Sequence, residues 1–143
     1  GSGSEQKNWP QNKWAELVTR LLQETKATLL LVGGEAEANR LEKLSVNQPA
    51  ERCVLAKNLP LVELAPQLQK CSGFIGHDSG ISHLAAALNL PSLTLWNHSV
   101  EEIWKPLGPK VKTLRSPGGI NEISVEQVLS EVLTLFPEIS PSR

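Results

Sequence analysis

His77, Asp78, Ser79 and Gly80 stand between an apolar run ending at Gly76 and another beginning at Ile81, and His83 follows one turn later. This is a joint where a strand passes into a helix. The first amides of a helix have no partner within it, and the helix dipole adds positive charge there. Such an end takes an anion, most often a phosphate. Gly80 lets an oxygen approach the backbone with no Cβ in the way. Ser79 adds a hydroxyl donor. Side chains on a helix lean toward its N-terminus, so His83 is expected to reach back to the same anion. Asp78 has the wrong charge for a phosphate and suits a sugar hydroxyl, from which a carboxylate accepts hydrogen bonds. A plainer reading has Asp78 or Ser79 only capping the helix, with His83 a satisfied interior residue. Two further readings fit the spacing less well. A nucleophile elbow is G-x-S-x-G, and "GHDSG" places Ser79 one position too late. A metal site from His77, Asp78, His83 and His98 matches no standard ligand spacing.

The surrounding elements alternate between helix and strand. Trp14, Leu17, Val18, Leu21 and Leu22 recur at the spacing of a one-sided helix. Residues 27–32, "ATLLLV", form a short apolar run before Gly33 and Gly34, as in a strand buried on both faces. Residues 35–44 favour a helix and 52–56 a second strand. Leu61, Leu64, Ala65 and Leu68 predict a helix that Pro66 is expected to kink. Residues 73–76 form a third strand, 81–88 a helix, 92–96 a fourth strand and 111–114 a fifth. Ser124 and Gln127 make a capping box ahead of a stripe of Val125, Val128, Leu129, Val132 and Phe136. The tail, 137–143, is expected to fray. Repeated strand–helix units predict an α/β fold, a Rossmann-like parallel sheet with helices on both faces. The first clear element is a helix, which is odd for such a sheet and leaves room for a strand ahead of it.

The 143 residues suit one domain, 1–143, with enough chain to bury a core. Hydrophobic residues are 40% and charged residues 20%, as in ordinary soluble domains. Net charge is −1 and no basic stripe is present, which argues against a nucleic-acid partner. Cys53 and Cys71 fit no C-x-x-C pattern and read as reduced, buried thiols of a cytoplasmic protein. No apolar run is long enough to cross a bilayer, and no signal peptide is seen.

"GFIGHDSGISHLAAALNLPSLTLW", from Gly73, resembles the donor-site segment of glycosyltransferase family 9, the heptosyltransferases of lipopolysaccharide synthesis. Asp78, Ser79, Gly80, His83, Leu84, Ala85, Ala86, Ala87 and Leu88 match its D-[ST]-G-x-x-H-L-A-A-A-L string. "KNWPQNKWAELVTRLL" from Lys7 resembles its K-x-W-P helix start, "LLLVGGEAE" from Leu29 its strand and Gly-Gly-acidic loop, and "ISVEQVLSEV" from Ile123 its closing helix. The likeness covers nearly the whole chain in order.

The resemblance implies the C-terminal half of a two-domain GT-B glycosyltransferase, the half that holds the nucleotide-sugar donor. It places Lys7, Ser79, Gly80, Ile81 and His83 on the donor diphosphate, Asp78 on the transferred sugar, Glu37 on the ribose, and the backbone near Lys57 and Asn58 against the base. Trp9 and Trp14 are packing residues. It implies an inverting, metal-independent transfer without a cofactor, from an ADP-heptose-like donor to a lipid-linked glycan. The general base belongs to an N-terminal domain, and membrane contact is peripheral at most. Asn97-His98-Ser99 departs from the family's G-P-T, which leaves the sugar open. The first four residues, GSGS, are either an expression scar or a truncated phosphate loop in which Ser2, Gly3 and Ser4 line the site. The alternative is a non-catalytic nucleotide-binding or interaction module that keeps the fold.

Overall fold

The computed structural model describes residues 8–34, 38–46, 48–77, 80–96, 110–116 and 118–140. The strands are Leu29–Gly33 (β1), Cys53–Lys57 (β2), Phe74–His77 (β3), Ser92–Leu95 (β4) and Val111–Leu114 (β5). The helices are Gln11–Glu24 (α1), Ala38–Ser45 (α2), Leu61–Gln69 (α3), Gly80–Ala87 (α4) and Val125–Leu135 (α5), with short 3-10 turns at Ile120–Glu122 and Pro137–Ile139. β1 pairs with β2, and β3 with β4 and β4 with β5; every one of these ladders is parallel. The expected α/β class with a parallel sheet is therefore observed. Among the described residues the sheet is in two pieces, β1-β2 and β3-β4-β5, with no ladder between β1 and β3.

Strand side chains alternate between two helical layers. Leu93 and Leu95 of β4, with Ile75, pack into one core with Trp9, Leu17 and Leu21, the α5 stripe Val125, Val128, Leu129 and Val132, and Phe136. Leu30, Val32, Ala56 and Phe74 turn to the other side, against Leu64 and Leu68 of α3 and Ala85 of α4. β4 is buried throughout and is the centre of its sheet.

Local chemistry explains the element ends. The capping box forms: Gln127 N donates to Ser124 Oγ at 3.0 Å, and Ser124 N donates to Gln127 Oε1 at 2.8 Å. α4 closes with Leu90 N donating to Ala85 O and Asn89 N to Ala86 O, while Asn89 takes φ 63°. That paired closure needs a left-handed residue, and asparagine tolerates the region better than most. The last carbonyls of α1 are held by Arg52, whose guanidinium donates to Leu22 O at 2.8 Å, Thr25 O at 2.9 Å and Ala27 O at 2.7 Å. One side chain thus ties the end of α1 to both strands beyond it.

α3 forms where the leucine spacing predicts it and runs with Pro66 inside it, from Leu61 to Gln69. Proline removes the amide that would meet the Val62 carbonyl, and Val62 is 82% exposed, so water can take that place. Two expectations need correction. The tail does not fray from 137: Pro137–Ile139 is a 3-10 turn, and Lys26 N donates to Ile139 O at 2.8 Å. The β1 leucines, expected to be buried on both faces, are only half-buried. Cys53 is buried and Cys71 half-buried; burial pushes both thiols up from the ordinary value.

Candidate functional site

Parallel strands end on one side of their sheet, and the residues in question lie at such ends. Register pairs Gly33 with Lys57 and His77 with Leu95, so β1 and β2 end together in one piece of the sheet and β3 and β4 end together in the other. In open parallel sheets ligands bind at the carboxyl ends of the strands.

β3 ends at His77 and α4 begins at Gly80, so the strand-to-helix joint is where the sequence predicts it. Gly80 and Ile81 open the helix. Their amides are among those that a helix leaves without an internal partner. Ser82, Ala85 and Ala86 are its buried stripe, and these small residues let the helix lie close against β3 and β4. His83 falls on the opposite side and is exposed, which removes the reading of it as an interior histidine. Asn58 follows β2 with φ 53°, its amide donating to Gly33 O at 2.8 Å. This left-handed turn presents the backbone of Lys57 and Asn58 at the carboxyl end of β2. The Lys57 ammonium itself is paired with Glu42 of α2 at 2.7 Å.

His77 has a role that sequence reasoning missed. It is 5% exposed, and its Nε2 accepts from the Trp9 amide at 2.8 Å and from Trp14 Nε1 at 3.3 Å. A nitrogen that accepts carries no proton, so the proton of the neutral ring sits on Nδ1. Burial lowers the His77 pKa from 6.5 to about 3. With the Nε2 lone pair engaged by the two tryptophans, His77 acts as a strut. It ties the end of β3 to Trp9, two residues after Lys7 and just ahead of α1. Trp9 carries the tie onward, since its Nε1 donates to Ile123 O at 2.9 Å, and its ring meets Trp14 edge-on at 5.0 Å. Both tryptophans pack, as expected. The sequence signal available was the K-x-W-P helix start beside a histidine at a strand end, which by itself names no contact.

Ser4, Lys7, Glu37, Asp78 and Ser79, together with Ser2 and Gly3, lie outside the described residues, as do Asn97, His98 and Ser99. Of the predicted site residues, Lys57 and Asn58 lie at the carboxyl end of β2, and Gly80, Ile81 and His83 follow the carboxyl end of β3.

A parallel α/β domain with an open helix start at its strand ends is the arrangement of phosphate- and nucleotide-binding domains. The comparisons narrow that class. Residues 1–131 match the profile of glycosyltransferase family 9 (heptosyltransferase). The chain belongs to this family. It is 28% identical over 140 residues to lipopolysaccharide heptosyltransferase 2 of Escherichia coli K12, covering 96% of this chain and 40% of the relative. It is 32% identical over 90 residues to lipopolysaccharide heptosyltransferase 1 of Pseudomonas aeruginosa, covering 63% of this chain and 25% of the relative. The structure of E. coli ADP-heptose lipopolysaccharide heptosyltransferase II superposes with a TM-score of 0.83 at 23% identity, over 96% of this chain and 45% of that one. An E. coli heptosyltransferase solved with ADP gives a TM-score of 0.82 at 21% identity, over 94% of this chain and 42% of that one. The fold is shared, and the chain spans about 40% of the length of the first of these relatives.

Proposed function

We propose that this chain is the nucleotide-sugar-binding part, the C-terminal half, of an inverting GT-B glycosyltransferase acting in lipopolysaccharide or related cell-surface glycan synthesis. Its donor is an ADP-heptose-like nucleotide sugar. The observation that carries this reading is the α4 start: Gly80 and Ile81 open a helix at the carboxyl edge of a parallel sheet, with exposed His83 one turn along. Relatives support it, since one E. coli heptosyltransferase was solved with ADP and another structure holds ADP-2-deoxy-2-fluoro heptose.

In this reading the amides of Gly80 and Ile81, with Ser79, Lys7, Ser4 and His83, hold the diphosphate and stabilise its charge as it leaves. That is preorganised electrostatic stabilisation and calls for no metal or cofactor. Asp78 accepts from the sugar hydroxyls. Glu37 meets the ribose, and the backbone at Lys57 and Asn58 lies against the base. The His77 strut supports this assignment by tying the stretch next to Lys7 to the β3–α4 joint. The acceptor is a lipid-linked glycan, met at the cytoplasmic face of the membrane by peripheral contact alone. The general base comes from the other domain.

The test is a thermal-shift panel of nucleoside diphosphates, followed by titration calorimetry at pH 6.5 with ADP. A bound ligand raises the melting temperature by mass action. His83→Ala is expected to weaken ADP binding by about 1–3 kcal/mol, the range for a hydrogen bond to a charged group. An unchanged affinity removes His83 from the site, and no shift with any diphosphate favours the non-catalytic interaction module.

A further inference from the structure

One polar atom of His77 has no partner. Its Nε2 accepts from the Trp9 amide and from Trp14 Nε1, which fixes the proton of the neutral ring on Nδ1. The residue is 5% exposed, and among the described residues nothing accepts a hydrogen bond from that Nδ1–H. A buried donor without a partner forfeits the bond that water gives it in the unfolded chain, and native folds leave few such groups. The build of the imidazole narrows where a partner can stand. Nε2 is at the tip of the ring, whereas Nδ1 adjoins the carbon that joins the ring to the main chain. The tip is held by Trp9, and the ring meets Trp14 edge-on at 5.3 Å. Nδ1 therefore stays beside the backbone at the carboxyl end of β3, three residues ahead of Gly80 and the α4 start. Trp9 in turn follows Lys7 by two residues. The ring lies between the two stretches, one carrying Lys7 and one opening α4, that the proposed function gives to the diphosphate.

We infer that His77 Nδ1–H donates a hydrogen bond to an oxygen of the bound diphosphate. This rests on the reading of the α4 start as a diphosphate site. The two ring nitrogens then divide the work. Nε2 holds the entry to α1, and by doing so it fixes the tautomer and the angle of the ring. Nδ1–H becomes a donor already in place, which needs no reorganisation when the ligand arrives. A diphosphate oxygen is a charged acceptor, and a hydrogen bond to one is stronger than a bond between neutral groups. The neutral ring brings direction without adding charge, whereas exposed His83 reaches the same group from the solvent side. The other occupant that could satisfy Nδ1–H is an ordered water, which is stable in a buried place only with two to four polar partners.

The test is NMR of the 143-residue chain with its histidines labelled in heavy nitrogen, together with titration calorimetry of one variant. In the wild type, ADP and inorganic pyrophosphate are each expected to move the Hδ1 resonance of His77 downfield. Adenosine, which has no phosphate, leaves it in place. His77→Gln carries an amide that reaches the Nε2 position and has nothing polar at the Nδ1 position, so it keeps an acceptor for Trp9 and loses the donor. This variant is expected to melt near the wild type and to bind ADP and pyrophosphate about tenfold more weakly, the low end for a hydrogen bond to a charged group. Wild-type affinity in His77→Gln overturns the inference and leaves the diphosphate reading standing. An Hδ1 resonance that neither ADP nor pyrophosphate moves overturns it as well, whether or not the variant folds. A cross-peak from Hδ1 to water that persists with ADP bound assigns Nδ1–H to a buried water and overturns it too. A wild-type chain that binds neither ADP nor pyrophosphate overturns the diphosphate reading itself, and this inference with it.

Discussion

His77 shows how one residue couples the site to the fold. Its Nε2 can serve the Trp9 amide and Trp14 Nε1 only while unprotonated. Between pH 6.5 and 3 the unfolded chain binds a proton at this position and the folded chain does not. Stability from His77 is therefore fully present above its unfolded pKa and is lost as pH falls toward the folded one. The limiting slope for one proton is about tenfold in the folding constant per pH unit. His77→Gln keeps an acceptor and does not titrate. Comparing urea denaturation of the two proteins from pH 6.5 to 5 should show the wild type losing more stability. Parallel profiles would mean that His77 is protonated without cost.

At the element scale, α1 is held at both ends by side chains from the sheet. His77 receives its first turn, and Arg52, just ahead of β2, caps its last carbonyls. Hydrogen bonds to a charged group contribute about 1.5–3 kcal/mol, and Arg52→Met keeps the apolar stem while leaving the carbonyls of Leu22, Thr25 and Ala27 to water. The variant should lose about that much stability by urea denaturation, with ADP binding unchanged. A variant as stable as the wild type would show that water replaces the guanidinium without loss. α4 is legible in the sequence for a different reason. Its buried side is Ser82, Ala85 and Ala86, small residues that allow close approach to the sheet, and the same spacing leaves His83 outside.

For the whole molecule, the proposed division of labour gives a further expectation. Inversion needs a base within hydrogen-bond reach of the acceptor hydroxyl, about 2.6–3.2 Å. It also gains from holding both reactants together, which can reach roughly 7–11 kcal/mol. This chain spans about 40% of its E. coli relative, and both contributions are assigned to the remainder. Incubated with ADP-heptose and a lipid-linked glycan acceptor, the chain should bind donor and yield no glycosylated product by mass spectrometry. Turnover above background that Asp78→Asn abolishes would show that this part carries its own base.

Periodicity and end signals were enough for the element order. The α1 and α5 stripes, the capping box at Ser124 and the apolar runs at β1 and β4 depend on neighbours a few residues away, and such local patterns are visible in one dimension. The donor-loop string from Asp78 to Leu88 made the family legible in the same way, together with the helix start at Gly80. Other features depended on contacts between distant segments. His77 meets Trp9 across 68 positions, and Trp9 meets Ile123 across 114, so no local pattern announced either bond. Pro66 is locally unfavourable in a helix, and what holds α3 around it is the packing of Leu64 and Leu68 on either side, which the sequence shows only as spacing. The half-buried β1 leucines were invisible for a related reason. An apolar run says that a strand seeks burial on both faces; only the tertiary arrangement shows that, among the described residues, no ladder joins β1 to β3.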